Sequence, residues 1–302
     1  ELASLQSGEF ADALNPIADA YEIWIKKQED HLQNPTKDLQ PYLATAEDML
    51  QNSREALARI RTGIALLDND SQAAKAFQFA NHTMAEQRIR SIYTQSMRQG
   101  KKREIEEIEL LPRNYSWRPF QLAFVLLNLP GLADPTHEER SGDALQAFVD
   151  LLWFPTGGGK TEAYLGVAAF AIGIRRLQGK VGDYDGMAGV TVLMRYTLRL
   201  LTLQQFQRAT TLIAACEVLR RKDPQTWGTE PFRIGLWVGK GSTPNWTKDS
   251  ADAIKRDHGQ GWSGNVGGAG TPHQLTNCPW CGKPIEPGND IVVETLEQGR
   301  GR

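Results

Sequence analysis

The first third of the chain sets apolar against polar positions with a helical period. Leu14, Ile17, Tyr21 and Trp24 step by three and four, and so do Leu43, Ala46, Leu50, Ser53, Leu57, Ile60, Ile64 and Leu67. Residues spaced this way share one face of a helix, and packed helices need such faces for a core. Phe77, Ala80 and Met84 begin a third stripe. "NPTKDLQP" interrupts the first two stripes, and "LDNDSQ" separates the second from the third. Clusters of Asn, Asp and Pro end helices, so residues 1–110 are expected to form an all-helical N-terminal domain. "RQGKKRE", residues 98–104, is a basic cluster that fits a solvated helix end or a phosphate contact.

The pattern changes near Leu111. "WRPFQLAFVLLNL" predicts a helix from Pro119 to Leu129, and "PGLADPTHEERSGD" is a polar loop. Three apolar runs of strand length follow: "AFVDLLWF" at 147–154, "GVTVLMR" at 189–195 and "FRIGLWVG" at 232–239. Two helical stretches lie between them, Lys160 to Leu177 and Leu200 to Arg221, the second carrying Leu203, Phe206, Ile213 and Val218. Strand alternating with helix implies an α/β domain built on a parallel sheet with right-handed crossovers. Residues 111–240 are expected to form it, and 241–302, rich in Gly, Pro and Asn, to be loops.

Composition adds limits. The chain has 302 residues, 40% of them apolar and 23% charged, with a formal net charge of -2. A near-neutral balance leaves any polyanion contact to a local groove. No run reaches the ~18 apolar residues of a membrane span. The amino terminus lacks the basic region and apolar core of a secretory signal, and Glu at position 1 suggests a trimmed chain. Three cysteines, two of them in one CxxC, argue against a disulfide framework, so a cytoplasmic location is expected.

One stretch carries chemistry. In "LLWFPTGGGKTEAYLG" a strand, a glycine turn and a helix follow one another. Gly157, Gly158 and Gly159 allow the backbone to approach a phosphate closely. Lys160 is placed for the β and γ phosphates of ATP and Thr161 for Mg²⁺, with Pro155, Thr156 and Glu162 completing the loop. Lys160 and Thr161 are therefore the expected catalytic pair. The longer form of the motif wants Gly where this chain has Phe154; the shorter P-T-G-x-G-K-T is matched throughout.

"PTGGGKT" resembles motif I of superfamily 2 helicases and translocases, and the resemblance implies a RecA-like P-loop lobe. Upstream, "WRPFQ" resembles the R-P-x-Q element of such families, which implies an adenine contact by Gln121 and Phe120, with Arg118 nearby. Downstream, "VLMRYTLRLLTLQQFQRA" stands where motif Ia follows a strand, which implies that Arg195, Thr197, Arg199, Thr202 and Gln205 meet a DNA backbone. Tyr196 suits stacking on a base. "WVGKGSTPN" adds Lys240, Ser242, Thr243 and Asn245 at a further turn. Taken in order with "CPWCG", these segments resemble the large helicase subunit of the DISARM phage-defence system over roughly residues 75–302. That implies ATP-dependent movement on foreign DNA, a companion subunit, and a DNA methyltransferase elsewhere in the system.

A second lobe and a strand ending in Asp-Glu are not evident. "DIVVETLE" with Glu294 comes nearest and reads as an ordinary strand or hairpin arm, so little hydrolysis is expected of this chain alone. "NCPWCGKP" turns Cys278 and Cys281 toward one tetrahedral metal, half of a Zn²⁺ site. His273, His258 or a further CxxC would have to supply the rest. Cys216 sits at an apolar helix position and reads as core. The residues alone also fit a P-loop switch or AAA-type remodeller, or a non-catalytic interaction module using the helical region.

Overall fold

The computed structural model describes all of the chain except residues 102, 141–147, 156, 197–198, 240, 260–269 and 295–302, and only the backbone at 199–202 and 258–259. It divides into two compact units. The first comprises Glu1–Ala85, Ser116–Met194 and Val218–Pro231; the second comprises Glu86–Tyr115, Arg195–Glu217 and Phe232–Arg302.

Helices α1 (Phe10–Gln33), α2 (Leu43–Asn69) and α3 (Ser71–Arg98) lie where the stripes place them, and α1 packs on α2. In α2, Leu50, Ile60, Ile64 and Leu67 are buried, four members of its expected stripe. The phase of α1 differs. Phe10, Leu14, Ala18 and Ile25 are its buried set, while Trp24 is 48% exposed. Asp68 fixes the start of α1 from a distance: its carboxylate accepts from the N–H groups of Gly8 (2.7 Å), Phe10 (3.3 Å) and Ala11 (2.9 Å). Those amides belong to a helix entrance, where no carbonyl is available from an earlier turn.

The short α4 (Ile105–Glu109) leads to α5 (Pro119–Ala133). Pro119 opens α5 at a position where its missing N–H costs nothing. The helix runs one turn past its expected end, through Pro130, because Leu129, Pro130, Gly131 and Ala133 are all buried and packing holds that turn. α5 lies on α2 so closely that a Cβ at Gly63 would stand 2.0 Å from the Leu126 carbonyl oxygen. α5 also packs on α6 (Lys160–Gln178), whose Leu165, Phe170 and Ile174 fill the core of the first unit.

The expected RecA-like domain with a parallel sheet is not what forms. Among the described residues the one sheet is an antiparallel pair, β1 (Lys180–Val181) with β2 (Tyr184–Asp185), in register Lys180↔Asp185. The described parts of the three apolar runs form no strand and join no ladder. Their backbones are held by other groups. Phe148 N–H donates to the Glu139 carbonyl (3.1 Å). The Arg175 guanidinium takes the carbonyls of Asp185, Ala188 and Val190 (2.8, 3.0 and 3.0 Å). Phe232 N–H donates to the Glu217 carboxylate (3.1 Å). A strand closes no hydrogen bond by itself, and helix side chains here occupy groups a neighbouring strand would need. The apolar side chains stay outside: Val149, Leu151, Trp153, Leu193 and Trp237 are all exposed.

The remaining elements are α7 (Arg199–Lys222), α8 (Pro224–Trp227) and α9 (Thr247–Gly259). α9 corrects the expectation of loops after residue 240, with Ala253 and Ile254 buried. Among the described residues no helix is long and apolar enough to cross a membrane.

Candidate functional site

In the first unit the glycine turn sits at the amino end of α6. Gly157 and Gly159 have φ of 80° and 91°, the left-handed region that a side chain resists, and Gly159 is the residue before the first helical turn. Gly158 N–H closes the turn on the Pro155 carbonyl (3.1 Å). There is no room for a side chain at Gly158: a Cβ would lie 2.3 Å from the Phe154 ring. That ring stacks on Phe120 with centroids 4.0 Å apart and planes 11° apart. Phe154, the departure from the longer motif, thus forms one wall of the turn.

Lys160 folds back over the loop, its ammonium hydrogen-bonded to the Phe154 carbonyl and, at 3.4 Å, to that of Pro155. Thr161 and Glu162 follow in the first turn of α6, both half-buried. Thr156 lies outside the described residues. The first N–H groups of a helix have no acceptor within it, and the aligned peptide dipoles make that end attractive to anions. With glycines before it and a lysine at its first position, the end of α6 offers donors and positive charge without side-chain bulk. These are the properties that make a helix end attractive to an anion.

Two neighbours brace this turn. Gln121, buried at 4% exposure, donates from Nε2 to the Gly159 carbonyl (2.7 Å) and accepts at Oε1 from the Arg118 N–H (2.8 Å). Arg118 Nη1 donates to the Gly158 carbonyl (2.8 Å). Of these contacts only the one within α5 has a local signal, Gln three residues after Arg118, the spacing at which a side chain reaches back to the N–H that precedes the helix. What sequence reasoning missed altogether is Arg59. From α2 it bonds Glu139 (2.5 and 3.1 Å) and Asp150 (2.6 and 2.9 Å), and its guanidinium lies over the Phe148 ring at 5.4 Å. The Asp150 carboxylate, with Glu139 adding to it and burial opposing, raises the Arg59 pKa above the ordinary arginine value. Asp150 is five residues before Pro155, so this cluster anchors the segment that enters the glycine turn.

The residues expected to meet DNA belong to the second unit. Arg195 and Tyr196 are exposed just before α7; Arg199 and Thr202 lie in its first turn, where only the backbone is described. Gln205 is half-buried on α7, its Oε1 without a partner among the described residues. Thr243 is half-buried in a turn in which the N–H groups of Ser242 and Thr243 donate to the Gly239 carbonyl (2.8 and 3.3 Å). Thr197 and Lys240 lie outside the described residues.

The cysteine pair forms a tight knuckle. Gly282 N–H donates to the Cys278 carbonyl and Cys278 N–H to the Lys283 carbonyl, both at 2.8 Å, with Gly282 at φ 73°. Cys278 is half-buried and Cys281 exposed, and neither is in a disulfide. The knuckle rests on protein at both sides: Arg90 covers the Trp280 ring at 4.4 Å, and Thr211 donates to the Pro279 carbonyl at 3.4 Å. Two thiols are half of a tetrahedral donor set. Among the described residues no three His, Cys, Asp or Glu side chains are grouped to hold a metal. His273 is buried but is not gathered with the cysteines, the His258 side chain is not described, and Glu294 ends the described chain.

The site is thus a glycine turn on a helix amino terminus, within a mostly helical protein. No family model matches the chain. It is 39% identical over 285 residues to the DISARM protein DrmA of Bacillus paralicheniformis, which takes in 91% of this chain and 23% of that protein. The chain is DrmA-like over that span, and it covers less than a quarter of the relative's length.

Proposed function

We propose that this chain is the ATP-binding part of a DISARM anti-phage defence protein and serves an ATP-dependent DNA helicase or translocase of superfamily 2. The observation that carries the reading is the Gly157–Lys160 turn at the amino end of α6, within a chain that is DrmA-like along nearly its whole length. On this reading Lys160 would exchange the two loop carbonyls for the terminal phosphates, Thr161 would hold Mg²⁺, and Gly157 to Gly159 would admit the phosphate tail. ATP supplies the free energy of its terminal anhydride; this chain's part is to hold and orient it. A companion subunit of the defence complex and DNA are the partners that follow from the similarity.

Replacing Lys160 with Ala removes a charged donor, so ATP affinity is expected to fall about ten- to hundredfold. Unchanged affinity in titrations of the variant rejects the site. DNA contact is assigned to Arg195, Tyr196 and Arg199, ahead of and within the start of α7. The Arg195→Ala, Arg199→Ala double variant is expected to bind single strands more weakly, with a salt slope shallower by about 1.4 if each arginine meets one phosphate. An identical slope removes that assignment. The Cys278–Cys281 knuckle is proposed to supply half of a Zn²⁺ site. Purified protein is expected to carry zinc that Cys278→Ser loses; equal metal in both would refute it.

A further inference from the structure

The amide of Gln121 links the glycine turn to the start of α5. Its Nε2 holds the Gly159 carbonyl, its Oε1 takes the Arg118 N–H, and the side chain is 4% exposed. Arg118 holds the next carbonyl back, that of Gly158. In a trans peptide the carbonyl and the following N–H lie in one plane and point in opposite directions. Holding the carbonyls of Gly158 and Gly159 toward the start of α5 therefore turns the N–H groups of Gly159 and Lys160 the other way. These are the two donors at the very entrance of α6. The close fit leaves little freedom, since a Cβ at Gly159 would stand 2.6 Å from Gln121 Nε2.

From this geometry we propose that Arg118 and Gln121 are positioning residues of the phosphate cradle. They preset its amides for a triphosphate tail, and Gln121 does not select the base. The proposal rests on the phosphate-binding reading of the same turn. It predicts that the site takes inorganic tripolyphosphate as well as nucleoside triphosphates, and that both side chains matter equally to all of these ligands.

The test is titration of the 302-residue chain, with Mg²⁺, against ATP, GTP and tripolyphosphate. Wild type, Gln121→Ala and Arg118→Ala are compared. Each variant loses one neutral or charge-assisted hydrogen bond to the loop, so an affinity loss of about three- to tenfold is expected, by the same factor for all three ligands. The ratio of ATP to GTP affinity stays at its wild-type value. If Gln121→Ala weakens ATP but leaves tripolyphosphate untouched, Gln121 reads the base and the proposal is overturned. Arg118 is exposed, so Arg118→Ala gives the answer even if the buried Gln121 variant fails to fold; an unchanged tripolyphosphate affinity there also overturns the proposal. A wild type that binds none of the three ligands contradicts the phosphate-binding reading itself, a result distinct from either of these.

Discussion

The helices of the first unit and the run at 148–155 are both apolar, yet they end in opposite environments. In α6, Leu165, Phe170 and Ile174 are wholly or almost wholly buried; in the run before it, Val149, Leu151 and Trp153 are 92%, 84% and 83% exposed. The difference lies in where the hydrogen bonds close. A helix satisfies its backbone within itself and needs only one apolar face covered, which α5 provides for α6. An extended run must find a neighbour for every second peptide group. Here its beginning is tied to Glu139, while Asp150 is tied to Arg59. Apolar content alone therefore does not decide burial; the supply of a backbone partner does.

The sharpest way to break this contrast is to cut apolar groups from both regions. Phe170→Ala is expected to cost about 3–5 kcal/mol, the usual loss for a fully buried aromatic ring. If denaturant unfolding shows a cost under about 1 kcal/mol, α6 is not the packed helix described. Arg59→Ala comes next. It leaves Glu139 and Asp150 side by side without their cation, at an expected cost of about 1–3 kcal/mol. Raising the pH will not mimic it. The folded pKa of Arg59 is raised, so its contribution is complete below the unfolded value, which already lies above the working pH range. An Arg59→Ala variant as stable as wild type would mean the run needs no anchor. Leu151→Ser is expected to have the smallest effect, within about 0.5 kcal/mol, because the side chain is already in water. A large loss there would show that the run is buried against something.

The helical part was legible because its signals are local. Leu50, Ile60, Ile64 and Leu67 mark the buried face of α2, and the bounds expected for α6 and α7 fall within a residue of those found. Trp24 misled because a stripe fixes a face only to within a position or so, and Ala18 and Ile25 take its place. The strand runs misled for a stronger reason. Valine, leucine and tryptophan in an eight-residue run state a preference, while pairing depends on groups far away in the chain. Nothing near Val190 announces that Arg175 will take its carbonyl. Of the site, the glycine turn and Lys160 were readable from spacing. The bonds from Gln121 and Arg118 to that turn were not, because they join positions 38 and 40 residues apart.

The account stands most directly on the amides at the entrance of α6. Hydrogen exchange across residues 157–161, with and without saturating Mg·ATP, measures them without any partner or turnover. The expected result is slower exchange at Gly159, Lys160 and Thr161 when ATP is present, and loss of that protection in Lys160→Ala. Exchange that ATP leaves unchanged in the wild type, or slows equally in the variant, would contradict the claim that this turn holds a triphosphate.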